Sequence, residues 1–259
     1  MVTLGGNVCI RNGDRLDYPW RESVRSLLPI CDEVVICDCD SDDGTREEIN
    51  EWAELEPKIT TLNFPWTNPI GTNTWWPEFL NYARQHLSTQ MHIQLDADEV
   101  LHEEDYPTIR AEAEARHVCF FKRFNFWRDP QHLIPEGVCC GTKVLRMAPT
   151  RMPLPSDYPY EPAGPTMAQA QEINARVYHY GFLRFKDAFF RKAREVQRIW
   201  CNSFDPRLES AERYAGKWHD MPGVTGWENS LVDYTGGHPK VIQEWLNERH
   251  RPDTECNPS

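Results

Sequence analysis

The strongest constraint on the fold is the order of segments in the first hundred residues. Residues 2–11 mix β-branched and small side chains and break at Asn12-Gly13-Asp14, as a strand leaving into a loop does. Trp20, Val24, Leu27 and Leu28 then recur at helical spacing up to Pro29. The apolar run Val34-Val35-Ile36-Cys37 reads as a second, buried strand. Strand, helix and strand in that order point to a parallel sheet, because parallel neighbours need a crossover and buried strands read as continuous apolar runs.

The alternation continues. After Asp38 the chain turns through Cys39-Asp40-Ser41-Asp42-Asp43-Gly44, and Thr45 with Glu48 predicts a capping box at the head of a helix whose inner face carries Ile49, Trp52 and Ala53. A strand is predicted over 59–62, a Pro/Asn/Gly-rich loop over 64–73, and a helix with Trp76, Phe79, Leu80, Ala83 and Leu87 on one side. Met91-His92-Ile93-Gln94-Leu95 is a further strand, ending at Asp96-Ala97-Asp98-Glu99. Beyond it the alternation is lost. Strands are predicted over 118–127, 142–147 and 175–182, a proline-rich ordered loop over 149–165, and a late helix on Phe189, Ala193, Val196 and Trp200. This divides the chain into a main domain over 1–200 and a C-terminal extension over 201–259.

Both acidic clusters directly follow apolar strands, and in an open α/β sheet ligands sit outside the carboxyl ends of the strands. Asp38 can accept hydrogen bonds from a base or ribose there, and the helix starting near Thr45 offers unpaired backbone N–H groups to an anion. The same stretch also reads as an acidic turn with a helix cap. Asp96-Ala97-Asp98 spaces hard oxygen ligands two positions apart, which suits Mg²⁺ or Mn²⁺ bridging two phosphates. Three acids in four positions at the end of a buried strand repel one another unless a cation or water relieves them. The plainer alternative is a solvated acidic loop.

The stretch from Val34 to Thr45, with Asp38, Ser41, Asp43 and Gly44, resembles the strand and D-x-x-S-x-D-G-T turn of family 2 glycosyltransferases of the GT-A fold. Leu95-Asp96-Ala97-Asp98-Glu99 resembles their L-D-A-D-E segment. The motifs come in the family's order, and Asn81 lies on the intervening helix where the family often has an Asn. The resemblance implies an α/β fold of the GT-A type, with a mainly parallel central sheet flanked by helices and a mixed C-terminal part. It also implies metal-dependent, inverting transfer of a sugar from a nucleotide-sugar donor, a UDP-sugar favoured, to a glycan or other acceptor hydroxyl. By the same likeness Arg11, Asn12 and Asp38 contact the nucleoside, Asp96 the ribose or metal environment, and Asp98 the Mn²⁺ or Mg²⁺ ion. Many relatives carry Arg before the helix Asn to meet the donor phosphates, whereas Leu80 precedes Asn81 here. Lys143 and Arg146, or the basic run Arg184, Lys186, Arg191, Lys192, Arg194 and Arg198, are the candidates to supply that charge, although such a run also reads as a solvated helix face.

His179, at a predicted strand end, stands where some GT-A enzymes place a further metal ligand, and a neutral imidazole suits Mn²⁺. It reads equally well as a histidine buried among aromatics, and His238 is a weaker candidate. The general base for the acceptor hydroxyl is expected after the metal motif, among Glu136, Asp157, Glu161 and Glu172. Asp157 and Glu161 are favoured because Ser156-Asp157-Tyr158-Pro159-Tyr160-Glu161 joins two acids and two aromatics in a loop able to close over a sugar. Two rival functions remain open. One is a nucleotidyltransferase on a related sheet, and the other is a non-catalytic glycan-binding module using Trp66, Trp75, Trp76 or Trp127. A D-x-D phosphatase fits less well, since its motif follows the first strand.

A net charge of -12 opposes sustained contact with nucleic acid or an anionic membrane. No apolar run of about 18 residues offers an integral membrane segment, and no secretory pattern follows Met1. Nine cysteines, an odd number without zinc-ligand spacing, read as reduced thiols, so the cytoplasm is the expected compartment.

Overall fold

The computed structural model describes residues 1–67, 75–136, 143–152, 170–200, 206–213 and 230–249. Strands β1 (Leu4–Ile10), β2 (Glu33–Asp38), β3 (Ile59–Asn63) and β4 (Met91–Asp96) pair in parallel in the order β3-β2-β1-β4. Helices α1 (Trp20–Leu27), α2 (Thr45–Leu55) and α3 (Trp75–Gln85) make the crossovers. Alternation along the strands decides which layer each helix joins. Val8, Ile10, Val34, Ile36 and Leu95 pack against Trp20, Val24 and Leu27 of α1 and Ile49 of α2. Val35 and Cys37 face the other way, onto Phe79, Leu80 and Ala83 of α3. Burying each such aliphatic side chain contributes roughly 1.5–3 kcal/mol, so both faces of these strands must be covered.

After β4 the chain reverses at Ala97-Asp98 into β5 (Glu99–Leu101). Next come α4 (Tyr106–Glu114), β6 (Cys119–Trp127), β7 (Asp129–Leu133), β8 (Lys143–Pro149) and β9 (Gln171–His179). The chain goes on through α5 (Lys186–Trp200), α6 (Pro206–Glu212), β10 (Val232–Asp233) and α7 (Gln243–Arg249). Strand β8 lies antiparallel between β4 and β6, while β9 runs parallel to β6 and antiparallel to β5. β1 to β4, β6 and β9 therefore point the same way. The sheet is mainly parallel and flanked by helices, with a more irregular C-terminal region, which is an α/β fold of the GT-A type.

Two local expectations are corrected. The Thr45–Glu48 capping box does not form; Gly44 is the N-cap at φ 97°, and Asp43 Oδ1 instead accepts from Thr45 N at 3.2 Å and Thr45 Oγ1 at 2.6 Å. The strand predicted over 175–182 starts earlier and ends at His179, because Tyr180 and Leu183 close a turn ahead of α5. Farther on, Ile242, Trp245 and Leu246 pack on Val100, Phe126, Tyr178 and Tyr180. His238 belongs to this packing, with one ring nitrogen 2.9 Å from Tyr180 Oη and the other 2.9 Å from Pro130 O. Cys9, Cys31, Cys37, Cys39 and Cys119 are free thiols. Among the described residues no helix is long and apolar enough to cross a membrane.

Candidate functional site

The carboxyl ends of β1, β2 and β4 bring the two acidic turns together. In the first, Asp38 ends β2 and is buried; it accepts from Arg46 Nε at 2.7 Å and from Ser41 N at 3.2 Å. Asn12, at φ 52°, stitches this turn to the end of β1. Its N–H donates to Ser41 Oγ at 2.8 Å and its Oδ1 accepts from Asp42 N at 2.9 Å. Arg15 adds a pair to Asp42 at 2.7 Å. This turn is held by backbone hydrogen bonds and by half-exposed arginines.

The second turn is built from buried charge. Glu99 is fully buried, and Arg146 meets its two oxygens at 2.7 and 2.8 Å while Arg123 lies 3.0 Å away. Glu99 also accepts from Asp96 N at 3.0 Å, which fixes the turn. Asp96 Oδ2 is 3.0 Å from Arg146 and 3.8 Å from Arg123. Burial, then the neighbouring Glu99 charge, pushes the Asp96 pKa up to about 6. Glu99 shifts the other way: burial raises it, but the two guanidiniums outweigh burial. Of the two carboxylates sharing these arginines, Asp96 is therefore the one that takes a proton first.

Asp98 is buried on the opposite side of the turn. Its Oδ2 receives Arg184 at 2.5 Å and Lys192 at 2.8 Å, and its Oδ1 stands 3.6 Å from His179 Nε2. Burial alone raises such a carboxyl; the Lys192 ammonium, with the Arg184 guanidinium and a hydrogen bond from His179, holds it well below the ordinary range. His179 is kept neutral, its pKa lowered to about 4 by burial and then by Arg123. The β5–β9 pairing is what delivers this histidine, since Glu99 and His179 are register partners. Gly181 completes the approach. A Cβ there would lie 2.5 Å from His179 Nε2 and 2.7 Å from Asp98 Oδ2, so only glycine leaves that space open.

A cavity of about 360 Å³ opens over Asp96, Asp98, Arg123 and His179. Its walls are largely apolar, with Ile10, Leu16, Tyr18, Trp66, Leu80 and Phe182, and Lys192, Glu195 and Val196 line it from one face of α5. Arg11 also faces it, stacked on Trp66 at 4.5 Å and paired with Glu195 at 3.2 Å. The size suits a small-molecule site.

Among the described residues no group of three or more His, Cys, Asp and Glu side chains could hold a metal ion. Two donors nevertheless fit one: a carboxylate oxygen and a neutral imidazole nitrogen, 3.6 Å apart, beside a space kept open by Gly181. Mg²⁺ and Mn²⁺ sites often take only one or two protein ligands and complete their shell with phosphate and water. Asp96 Oδ2 meets Arg146 and Arg123, and Asp98 Oδ2 meets Arg184 and Lys192, so an ion beside His179 would reach Asp98 through Oδ1 and compete with two cations for that carboxylate.

The remaining sequence candidates lie elsewhere. Arg11, Asp96, Asp98 and His179 line the cavity together, whereas Asp38 and Asn12 shape the turn beside it. Asn81 accepts from Arg84 at 2.8 Å on α3, and Lys143 is exposed and paired with Glu172 at 2.5 Å. Trp127 is buried against Phe182. Asp157 and Glu161 fall outside the described residues, as do the side chains of Trp75 and Trp76. Arg123 was not among the residues singled out from sequence. Its signal is phase: it occupies an inward position of β6, between Phe121 and Asn125.

No protein-family model and no curated protein matches this chain. Solved structures similar to it include TarS of S. aureus, at 11% identity over 81% of this chain and 42% of that one, and TarS 1–349 in complex with UDP-GlcNAc, at 13% identity over 81% and 70%. Both give a TM-score of 0.45. A putative glucose-1-phosphate thymidylyltransferase from Bacillus anthracis, in complex with a sucrose, is 7% identical over 72% of this chain and 94% of that one, with a TM-score of 0.41. This chain thus spans less than half of the full TarS chain. The relationships are distant, and the functional reading rests on the residues of the site.

Proposed function

We propose that the protein is a glycosyltransferase that moves a sugar from a nucleoside-diphosphate sugar, a UDP-sugar favoured, to an acceptor hydroxyl with help from Mn²⁺ or Mg²⁺. The observation that carries the proposal is the meeting of Asp98 and His179 in a cavity at the strand ends, with Lys192, Arg184 and Arg123 around them. A diphosphate entering there meets donors for its charge, while Trp66 and Arg11 offer a flat cationic stack suited to a base. Asp98 and His179 would hold the divalent ion. When bound, the ion supplies Lewis-acid stabilisation of the departing diphosphate. Lys192 is well placed to share that task. Its pKa is lowered, chiefly by burial and then by Arg184, so diphosphate charge would favour its ammonium form. A carboxylate that accepts the acceptor proton completes the reaction, with Asp157 and Glu161 as the candidates, and inversion follows if the acceptor attacks opposite the leaving group.

The direct test is product analysis after incubation with UDP-sugars and Mn²⁺. Released UDP supports glycosyl transfer, whereas released pyrophosphate from a sugar phosphate and UTP supports a nucleotidyltransferase. Nucleotide sugars that raise the melting temperature only with Mn²⁺ would also separate this reading from a glycan-binding module. Equal UDP affinity in chelator and in Mn²⁺ would sink the metal requirement.

A further inference from the structure

Helix α7 lies near the end of the chain, yet its last residue reaches the loop between β1 and α1. Arg249 donates through Nε to Asp17 Oδ2 at 3.2 Å and through a terminal guanidinium nitrogen to Oδ1. Both side chains are only 10% exposed. The guanidinium also lies on the Trp245 ring at 4.0 Å, and Trp245 and Leu246 seat α7 in the aromatic cluster over the sheet. Asp17 does more than receive this cation. Its Oδ2 accepts the backbone N–H of Phe185 at 2.9 Å, just ahead of α5, and its backbone sits at φ 52°. Asp tolerates that conformation better than most non-glycine residues, and here the turn bonds Asp17 N–Asp14 O and Tyr18 N–Gly13 O fix it.

The neighbours of Asp17 in sequence form the cavity wall. Leu16 O accepts from Arg184, the same guanidinium that holds Asp98. The Tyr18 ring lies 3.8 Å from Arg184 and 5.0 Å from Lys192 Nζ, and Leu16 and Tyr18 both line the cavity. One carboxylate thus ties together α7, the β1–α1 loop and the entry to α5.

We infer that the Asp17–Arg249 pair is a positioning element through which the C-terminal helix sets the cavity wall of Leu16 and Tyr18 and the enclosed Arg184 bonded to it; its effect on nucleotide affinity rests on the proposed function. A two-point guanidinium–carboxylate contact fixes direction as well as distance, and it is sheltered enough to hold that geometry. Without it the Asp17 carboxylate loses the partner that holds it under Phe185 N–H, the left-handed backbone is left to the turn bonds to Asp14 O and Gly13 O, and the Leu16 acceptor of Arg184 is held less firmly. The last turn of α7 is in this sense part of the site, although it contributes nothing to the cavity surface itself.

The test uses the full chain, UDP with Mn²⁺ as the probe, and amide hydrogen exchange as a readout that needs no ligand. Arg249→Ala and Asp17→Asn should each weaken UDP about 10-fold, with the double variant no worse than either, because the two residues act as one unit. Exchange at Tyr18 and Phe185 should quicken in both single variants. Leu246→Ala loosens α7 without touching the pair; it should lower the melting temperature while UDP affinity stays within about 2-fold of the parent. The inference is overturned if the parent binds UDP and both single variants bind it equally well, or if Leu246→Ala weakens UDP as much as Arg249→Ala does. Should Arg249→Ala fail to fold, Asp17→Asn carries the same comparison. If the parent itself binds no UDP with Mn²⁺ or Mg²⁺, the proposed function falls, while exchange still decides the positioning role: unchanged exchange in the variants refutes it and faster exchange upholds it.

Discussion

The turn after β2 and the turn after β4 look alike in sequence, since each is a run of acids closing an apolar strand, but the molecule stabilises them in different ways. The first buries only Asp38, carries Asp40, Asp42 and Asp43 toward its outer side, and meets them with backbone N–H groups and with Arg15 and Arg46, which stay 40% and 32% exposed. Water can replace a lost partner there. The second buries Asp98 and Glu99, leaves Asp96 partly open to the cavity, and surrounds all three with Arg123, Arg146, Arg184 and Lys192, of which Arg146 and Arg184 are fully enclosed. No solvent is at hand to stand in for a missing charge at Asp98 or Glu99. The difference is one of source: the counter-charges of the candidate site come from inside the fold, and those of the first turn from its surface.

That contrast can be broken at its strongest point. Arg146→Met leaves Glu99 buried with only Arg123 in reach, and should lower the unfolding free energy by about 3–5 kcal/mol in a denaturant titration. A loss below about 1 kcal/mol would mean that the second turn is as well solvated as the first. Asp98→Asn comes next. It should weaken Mn²⁺-dependent UDP binding by about 100-fold or more in calorimetry, and because Asp98 is buried between two cations it should also lower the melting temperature. Retained metal-dependent binding would take the site away from Asp98. His179→Ala should cost about 10-fold in Mn²⁺ affinity, whereas unchanged affinity with a lower melting temperature would leave His179 as a core residue packed on Phe182. The smallest effect belongs to the first turn: Asp43→Ala removes the acceptor that caps α2 and should cost about 1 kcal/mol of stability with UDP affinity unchanged. A large loss of affinity there would give the first turn a chemical role as well.

The parts of this design that are local along the chain were legible from the sequence. β2 is a contiguous apolar run over 34–37 and β4 alternates Met91, Ile93 and Leu95 with His92 and Gln94, so both stand out without knowledge of their neighbours, and the acids that follow them fall at the ligand-binding edge by the rule of open sheets. The rest depends on partners far apart. Asp98 meets Lys192 across 94 positions and Arg184 across 86, and a row of basic residues opening a helix is outwardly the same whether it faces water or a buried carboxylate. Strand phase offered a partial signal, because Arg146 sits inside the buried run of β8 and Arg123 on the inward phase of β6, positions where arginine is costly unless paired. The helix cap was misassigned for a different reason. The left-handed Gly44 is the N-cap and its carbonyl takes Glu48 N–H, so Thr45 is the first helical residue and donates to Asp43 instead of accepting from Glu48.

The order in which these charges leave the ribosome follows from the buried turn. All three of its carboxylates are made before any of the four cations that neutralise them, and the last of those, Lys192, is synthesised nearly a hundred residues later. A chain ending at Leu101 owns β1 to β4 but has nothing with which to bury their acidic edge, and it should show little tertiary structure by near-ultraviolet circular dichroism. The expected outcome is that the parallel half of the sheet does not fold as a free-standing unit, because its acidic edge is neutralised only when the entry to α5 brings Arg184 and Lys192.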